Sequence, residues 1–266
     1  MHKASGDYAM SDSKIFVVAH KKVKFPNELD DCYIPIQVGT GEDLSNYARE
    51  NTPNSDNIAH KNASFCELTV LYYIWKNIKS DVVGLVHYRR YFTKRHGFIG
   101  YLINKGKHVL KQDKNMSAKH YIINQKQIDE IISAHDLIIP NPYRLPKNQS
   151  VYEDYIQTHH KKDWLLIQEI ILQKYPDYYQ CFNLVAKSDS FIPCNAFIGK
   201  KQVISEYCEW LFDILFELEQ RIDLEEYDDY NKRVFGFLSE RLFTVWIEKN
   251  QKKFRFYNLD LTFYNC

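Results

Sequence analysis

Two adjacent arginines follow an apolar run in the first half of the chain. The run Val82–Val86 reads as a buried strand, and His87, Tyr88, Arg89 and Arg90 come directly after it. Open α/β sheets bind ligands at the carboxyl ends of their strands, and the planar guanidinium group suits phosphate or carboxylate. An anion-binding edge is therefore the first hypothesis. The alternative is that both arginines form salt bridges within the fold.

Further polar residues follow the first strand and precede the first helix. A helix start attracts anions, so these residues could hold a ribose or sugar hydroxyl and reach a phosphate. Ordinary N-capping of the helix is the alternative. The residues are His20, Asp56, Asn57, Lys61 and Asn62.

In the second half, Tyr155, His159 and Asp163 recur at steps of four residues, which would place them on one face of a helix. His159 with Asp163 could form an acid–base or substrate-orienting pair. The alternative is a surface ion pair without a catalytic role.

Glu240 lies beside Arg241 in a predicted helix and follows an apolar turn, so its carboxylate is expected near the edge of the core. It is a candidate general base, and a structural Glu–Arg pair is the alternative. Asn195 falls inside the apolar run Phe191–Gly199, which we predict to be a strand.

Composition and missing motifs exclude several classes. Lys plus Arg total 35 against 34 Asp plus Glu, so no basic excess supports a nucleic-acid partner. The chain contains no G-x-G-x-x-G after a strand, Walker A, G-x-S-x-G or H-E-x-x-H motif. It also lacks Asp-x-Asp, so no ready carboxylate pair exists for Mn²⁺ or Mg²⁺, and protein cations would have to neutralise a diphosphate.

The cysteines and the N-terminus indicate a compartment. The six cysteines form no C-x-x-C pair, no stretch of 18 apolar residues occurs, and the N-terminus is polar. We expect a cytoplasmic protein whose residues 1–13 are a disordered leader. Residues 94–120 contain ten basic or histidine residues and one acid, so they form either a solvated insertion or a face for anionic lipid.

Predicted strands alternate with amphipathic helices along the chain. Strands are expected at Lys14–Ala19, Tyr33–Val38 and His135–Pro140. One helix is expected from Asn62, with an apolar stripe that includes Phe65, Leu68 and Ile78, and Ser150–Glu153 resembles the capping box of another helix. A long helix carries Ile204, Leu211 and Leu218 on one apolar face. This alternation predicts one α/β domain with a mostly parallel sheet between helices and a helical C-terminal part.

Several segments, in this order, closely resemble a bacterial family of capsular and exopolysaccharide biosynthesis proteins. That family was long labelled a domain of unknown function and is regarded as a group of glycosyltransferases. The resemblance covers nearly all of residues 14–250. Its main motifs are D-N-I-x-x-K-N (Asp56–Asn62), V-G-L-V-H-Y-R-R-Y-F (Val83–Phe92), N-A-F-I-G-K-K (Asn195–Lys201) and G-F-L-S-E-R-L (Gly236–Leu242).

The resemblance implies a GT-A-like (Rossmann-like) fold that transfers a hexose, with galactose or galactofuranose expected, from a nucleotide sugar to a capsular, exopolysaccharide or O-antigen saccharide. A UDP-sugar donor and a lipid-linked acceptor at the inner face of the plasma membrane would fit. Residues 14–140 would bind the nucleotide sugar and residues 141–266 the acceptor. Glu240 becomes the leading base, followed by Asp163 through His159, with Asn195 and Arg241 contacting acceptor or sugar.

Two other functions remain to be distinguished. A regulatory or scaffold subunit would bind the nucleotide sugar without turning it over. An RNA-binding module using aromatic and arginine stacking is disfavoured by the neutral net charge.

Overall fold

A computed structural model describes residues 11–94 except 42 and 45, the backbone of 109–112, and residues 118–264. The strands are β1 Ser13–Ala19, β2 Tyr33–Gln37, β3 Ala48–Arg49, β4 Val82–His87, β5 Arg90–Phe92, β6 Val109–Gln112, β7 Leu137–Pro140, β8 Tyr143–Arg144, β9 Ser190–Phe191, β10 Phe197–Lys200, β11 Phe256–Leu259 and β12 Leu261–Tyr264. The helices are α1 Asn62–Phe65, α2 Leu68–Asn77, α3 Ala118–Tyr121, α4 Gln125–Ala134, α5 Val151–Thr158, α6 Lys161–Lys174, α7 Tyr179–Lys187, α8 Lys201–Glu219 and α9 Val234–Asn250.

The central sheet follows the order β11–β7–β10–β4–β1–β2–β3, and in this path only β10 runs antiparallel to its neighbours. Strand β12 pairs with β5 and β6 beside it. The predicted fold class, a mostly parallel sheet flanked by helices, is confirmed. Because β10 from the second half lies between β4 and β7 from the first, both halves share one sheet.

The two faces of the sheet are covered by separate apolar clusters. In β1, Phe16 and Val18 pack into the cluster with the larger helices, whereas Ile15 and Val17 pack into the other. Alternate residues of a strand point to opposite faces, so an uninterrupted apolar run is what a doubly covered strand requires. In β4, a Cβ on Gly84 would lie 2.8 Å from the Ile198 side chain, so glycine lets β10 approach closely.

Several predicted elements have different bounds. The segment after Val86 does not continue as one strand: the chain turns at Tyr88–Arg89, and β5 returns antiparallel with Arg90 opposite His87. The ordered chain begins before residue 14, since Ser13 is in β1 and the Ser11 hydroxyl bonds to Asp129, which corrects part of the predicted leader. Residues 1–10 lie outside the described residues.

The apolar stripe predicted for one helix after Asn62 is divided between α1 and α2. The break is at Cys66, whose φ of 52° no α-helix permits. The capping box predicted at Ser150–Glu153 is observed at the start of α5. Of the helices in the described part of the chain, none combines the length and apolar character needed to span a bilayer.

Candidate functional site

The candidate site lies at the carboxyl edge of the two central strands. β1 and β4 are parallel neighbours with Val18 paired to His87, so His20 and the residues after His87 reach the same edge. The rings of His20 and Tyr88 meet edge to face with centroids 5.5 Å apart, and the Arg89 guanidinium lies 5.4 Å from the Tyr88 ring. The structure therefore brings together groups that the sequence places 67 residues apart.

The turn at Tyr88–Arg89 leaves both arginines at this edge. Burial lowers the pKa of His20, and so do the positive charges of Lys21, Arg89 and Arg233. Burial also lowers the pKa of His87, where Arg90 and Arg233 contribute in the same direction. Across the turn Arg90 pairs with His87, and the guanidinium groups of Arg89 and Arg90 lie 5.9 and 6.0 Å from the Phe263 ring centroid. Arg233 contacts Cys66 through its Nε, and the next residue, Glu67, has its Oε1 4.0 Å from His87 Nε2. We call His20, Arg89, Arg90 and Arg233 the cationic edge.

A strained turn at Cys194–Asn195 lies next to His87. Cys194 and Asn195 have φ of 75° and 44°, so Asn195 is in a turn and not inside a strand, contrary to our prediction. His87 Nε2 lies 2.8 Å from the Cys194 carbonyl oxygen, and the Asn195 Nδ2 donates to Glu67 Oε1 at 2.7 Å. Left-handed non-glycine residues persist only where surrounding contacts fix them, and they cluster at functional sites.

Glu67, directly after the break between α1 and α2, was not predicted as a site residue. Besides accepting from Asn195, its Oε1 lies 4.0 Å from His87 Nε2. The sequence offers only a weak signal for it: Glu67 is an acid between Phe65 and Leu68, two residues of the apolar stripe. The left-handed Cys66 turns this acid toward the site.

Glu240, in α9, is fixed on both sides. Its Oε1 accepts from the Cys194 backbone N–H at 2.8 Å, and its Oε2 accepts from Arg241 Nη1 at 3.1 Å. Burial raises the pKa of Glu240; Arg241 opposes the rise, and the negative charge of Glu67 adds to it. A carboxylate offers about four acceptor positions, so two protein contacts leave room for a third partner. The side chain is 21% exposed.

Arg241 forms an ion pair with Glu240, which the sequence analysis named as the structural alternative. It is buried, donates from Nη2 to Asp154 Oδ2 at 2.9 Å, and lies 4.3 Å from the Phe191 ring. Asp154, which the sequence did not single out, is thus part of a carboxylate–guanidinium–carboxylate arrangement. Its two carboxylates hold Arg241 in place, and that arrangement gives Arg241 no evident way to contact a substrate.

The predicted single helical face for Tyr155, His159 and Asp163 is wrong, because α5 ends before His159 and α6 starts at Lys161. His159 bonds to Asn231 Oδ1 at 3.1 Å and stacks on Phe237. Asp163 is buried and accepts from the hydroxyls of Tyr227 and Tyr155. Burial raises the pKa of Asp163 and lowers that of His159.

The residues before the first helix do not act as a group. Asp56 bonds to Tyr72 and Asn77, and Asn77 ends α2, roughly 15 Å of helix from Glu67. The Asn57 side chain accepts from Ala59 N–H, as a turn cap does. No side chain caps the start of α1 or α2, so the capping alternative is not observed there. The predicted contacts of Asp56 and Asn57 with a ribose stay a prediction.

Lys61 and Asn62 have protein partners. Lys61 forms an ion pair with Glu219 of α8, so its charge has a partner within the fold. Its predicted contact with a phosphate stays a prediction. Asn62 donates to the Cys66 carbonyl and packs near Gly39, which follows β2 at the carboxyl edge. Of this set, Asn62 is the residue closest to the site.

Two further predictions concern the basic segment 94–120 and a possible metal site. Most of the basic segment 94–120 lies outside the described residues, so its predicted role at a lipid surface stays a prediction. Within the described ranges, no three His, Cys, Asp or Glu side chains are grouped to hold a metal ion.

Residues 14–251 match the sequence profile of a domain of unknown function, DUF4422. No curated protein sequence matches the chain.

Among solved structures, the chain is similar to the apo form of WbbM, a bifunctional glycosyltransferase. The TM-score is 0.86 and the sequence identity 27%, and the match covers 96% of this chain and 46% of that one. The chain therefore spans about half the length of that neighbour. The similarity confirms the predicted GT-A-like architecture.

Proposed function

We propose that this chain, which belongs to the DUF4422 family, is a glycosyltransferase that moves a hexose from a nucleotide-diphospho-sugar to a growing saccharide. The observation that carries the proposal is the cationic edge at the carboxyl ends of β1 and β4, where sheets of this architecture bind ligands. The likeness to a bifunctional glycosyltransferase supports the same reaction class.

The cationic edge would bind the diphosphate of the donor. When the bond from the anomeric carbon to the diphosphate oxygen breaks, negative charge grows on the leaving group. Preorganised guanidinium groups stabilise such charge without reorganising during the reaction. Arg89 and Arg90 are suited to this role, and His87 and Tyr88 would line the same pocket, with the nucleoside beside His20.

Glu240 is the proposed general base. The acceptor hydroxyl oxygen would attack the anomeric carbon while its proton passes to the Glu240 carboxylate. A raised pKa makes this carboxylate a stronger base, and its remaining acceptor positions can receive the hydroxyl. Asp163 through His159 is the weaker candidate, since both Asp163 oxygens accept from tyrosine hydroxyls. A reaction that retains configuration would need no such base.

The finer identities rest on the family resemblance. We propose UDP-galactose or UDP-galactofuranose as the donor and a lipid-linked capsular, exopolysaccharide or O-antigen saccharide as the acceptor. The reaction would occur in the cytoplasm at the inner face of the plasma membrane. Asn195 would support the sugar site indirectly, through Glu67 and the strained turn.

The rival function is a nucleotide-sugar-binding scaffold subunit without turnover. A panel of nucleotide sugars tested by thermal shift, with and without Mn²⁺ or Mg²⁺, identifies the donor, because a ligand that binds the native state stabilises it. Release of free nucleotide diphosphate is then measured with a membrane extract as the source of acceptor. Stabilisation with turnover supports the transferase. Stabilisation without turnover supports the scaffold, and no stabilisation by any donor contradicts both.

A further inference from the structure

The arginines of this protein divide into those with and without a carboxylate partner. Most have a carboxylate oxygen within 4.0 Å: Arg49, Arg144, Arg221, Arg241 and Arg255. Within the described ranges, Arg90 and Arg233 have no such partner. Both border the candidate site, although β5 and the start of α9 are about 140 residues apart in the chain. Unpaired guanidinium groups converging from distant segments indicate an anionic ligand.

Arg233 is held in place without using its terminal nitrogens. Its Nε lies 3.4 Å from Cys66 Sγ, and its guanidinium lies 5.2 Å from the Phe237 ring centroid. In the described part of the chain, Nη1 and Nη2 make no hydrogen bond or ion pair. Stacking and the single Nε contact thus orient the planar group, and its two outer nitrogens stay available for a bidentate contact.

Arg233 lies beside the residues that surround His87: its Nε contacts Cys66 Sγ, and the next residue, Glu67, has its Oε1 4.0 Å from His87 Nε2. In keeping with this position, the positive charge of Arg233 lowers the pKa of His20, which follows β1, and that of His87, which ends β4. Arg89 acts on His20, and Arg90 acts on His87.

We propose that Arg233 is a donor-binding residue that holds the phosphate groups of the nucleotide sugar opposite Arg90. The inference rests on the proposed function and adds a residue from the second half of the chain to the donor site. Arg233 and Glu240 are seven residues apart, two turns along one helix face, or about 10.5 Å. Helix α9 thereby sets the spacing between the bound phosphate and the base.

The test measures the dissociation constant of UDP, with GDP and dTDP in parallel, by titration calorimetry on the full chain. Loss of a bidentate charge-assisted contact predicts that Arg233→Ala binds about 10- to 100-fold more weakly. Arg233→Lys keeps the charge without the paired donors and should lose less, about 3- to 10-fold. The matched control is Arg221→Ala, which removes a surface arginine paired with Glu217 and should change nothing.

A role in folding would give a different pattern. Arg233 is exposed, so Arg233→Ala should keep the melting temperature of the free protein. The salt dependence of UDP binding should also become shallower in Arg233→Ala, because one ionic contact is lost.

The outcomes separate the two proposals. Wild-type binding with Arg233→Ala within twofold of wild type overturns the role of Arg233 and leaves the proposed function standing. Weaker binding in Arg233→Ala together with an unchanged salt dependence also overturns it. If the wild type binds none of the three diphosphates, the proposed function fails with it.

Discussion

The two sides of the candidate site differ in whether their charged side chains have protein partners. On the cationic edge, Arg90 and Arg233 have no carboxylate partner among the described residues. On the other side, buried charged groups have protein partners: Arg241 pairs with Asp154 and Glu240, and Asp163 accepts from two tyrosine hydroxyls. We call Asp154, His159, Asp163 and Arg241 the paired side.

This difference separates binding from support. A charge left without a partner near the surface is available to a ligand. A buried, fully paired charge is costly to disturb, because removal of one partner leaves the other uncompensated. Glu240 lies between the two sides: Arg241 holds it, yet it is partly exposed and near Glu67. The comparison predicts which substitutions affect chemistry, which affect stability and which affect donor binding.

The largest effect is expected at Glu240. Glu240→Gln keeps the shape and the contact with the Cys194 N–H but removes the base, so kcat should fall about 10²- to 10⁴-fold with donor affinity nearly unchanged. Steady-state kinetics and UDP titration measure the two quantities. Glu248→Gln, two turns later on the same helix, is the control. Unchanged kcat in Glu240→Gln would remove Glu240 as the base.

Asp163 should give the largest loss of stability. Asp163→Ala leaves the buried hydroxyls of Tyr155 and Tyr227 without their acceptor, which should lower the free energy of unfolding by about 3 kcal/mol. Urea denaturation measures this. Because the paired side is structural, kcat per folded molecule should change less than threefold. A folded variant without activity would instead identify Asp163 as the catalytic carboxylate.

Arg90 should affect donor affinity more than folding. Arg90→Ala removes a charge-assisted phosphate contact, and we expect the UDP dissociation constant to rise about 10- to 100-fold. Thermal melting of the free variant should stay close to wild type. A large loss of stability with unchanged affinity would mean that Arg90 is a structural arginine. The cationic edge would then not be distinguished from the paired side.

The smallest effect is expected at Asp56, far from the cationic edge along α2. Asp56→Ala removes one surface hydrogen bond, from the Tyr72 hydroxyl, and should leave the KM for the donor within twofold. Asn62→Ala, closer to the site, is the informative partner variant. A tenfold rise in KM for Asp56→Ala would restore its predicted contact with the ribose.

Much of the architecture was predictable from local pattern. The uninterrupted apolar residues of β1 and β4 predict strands buried on both faces, and Ser150 with Glu153 predicts a helix start. The same reasoning places His20 and His87 at one edge, because both strands are parallel neighbours. The strands and the helix start depend on residues close together in the chain.

The breaks in the pattern depend on distant partners, and sequence reasoning missed them. The turn after His87 forms because β5 pairs with β12, some 170 residues later. The left-handed Asn195 is stabilised by Glu67, 128 residues away. Arg233 shows no local sign of a role, since its position becomes informative only when α9 packs beside Cys66.

The most direct test of the account is a crystal structure of the protein with bound UDP. The account predicts the diphosphate at the carboxyl edge of β1 and β4, with phosphate oxygens about 2.8 Å from guanidinium nitrogens of Arg90 and Arg233. A well-defined UDP bound elsewhere, with both arginines turned to protein carboxylates, would contradict it.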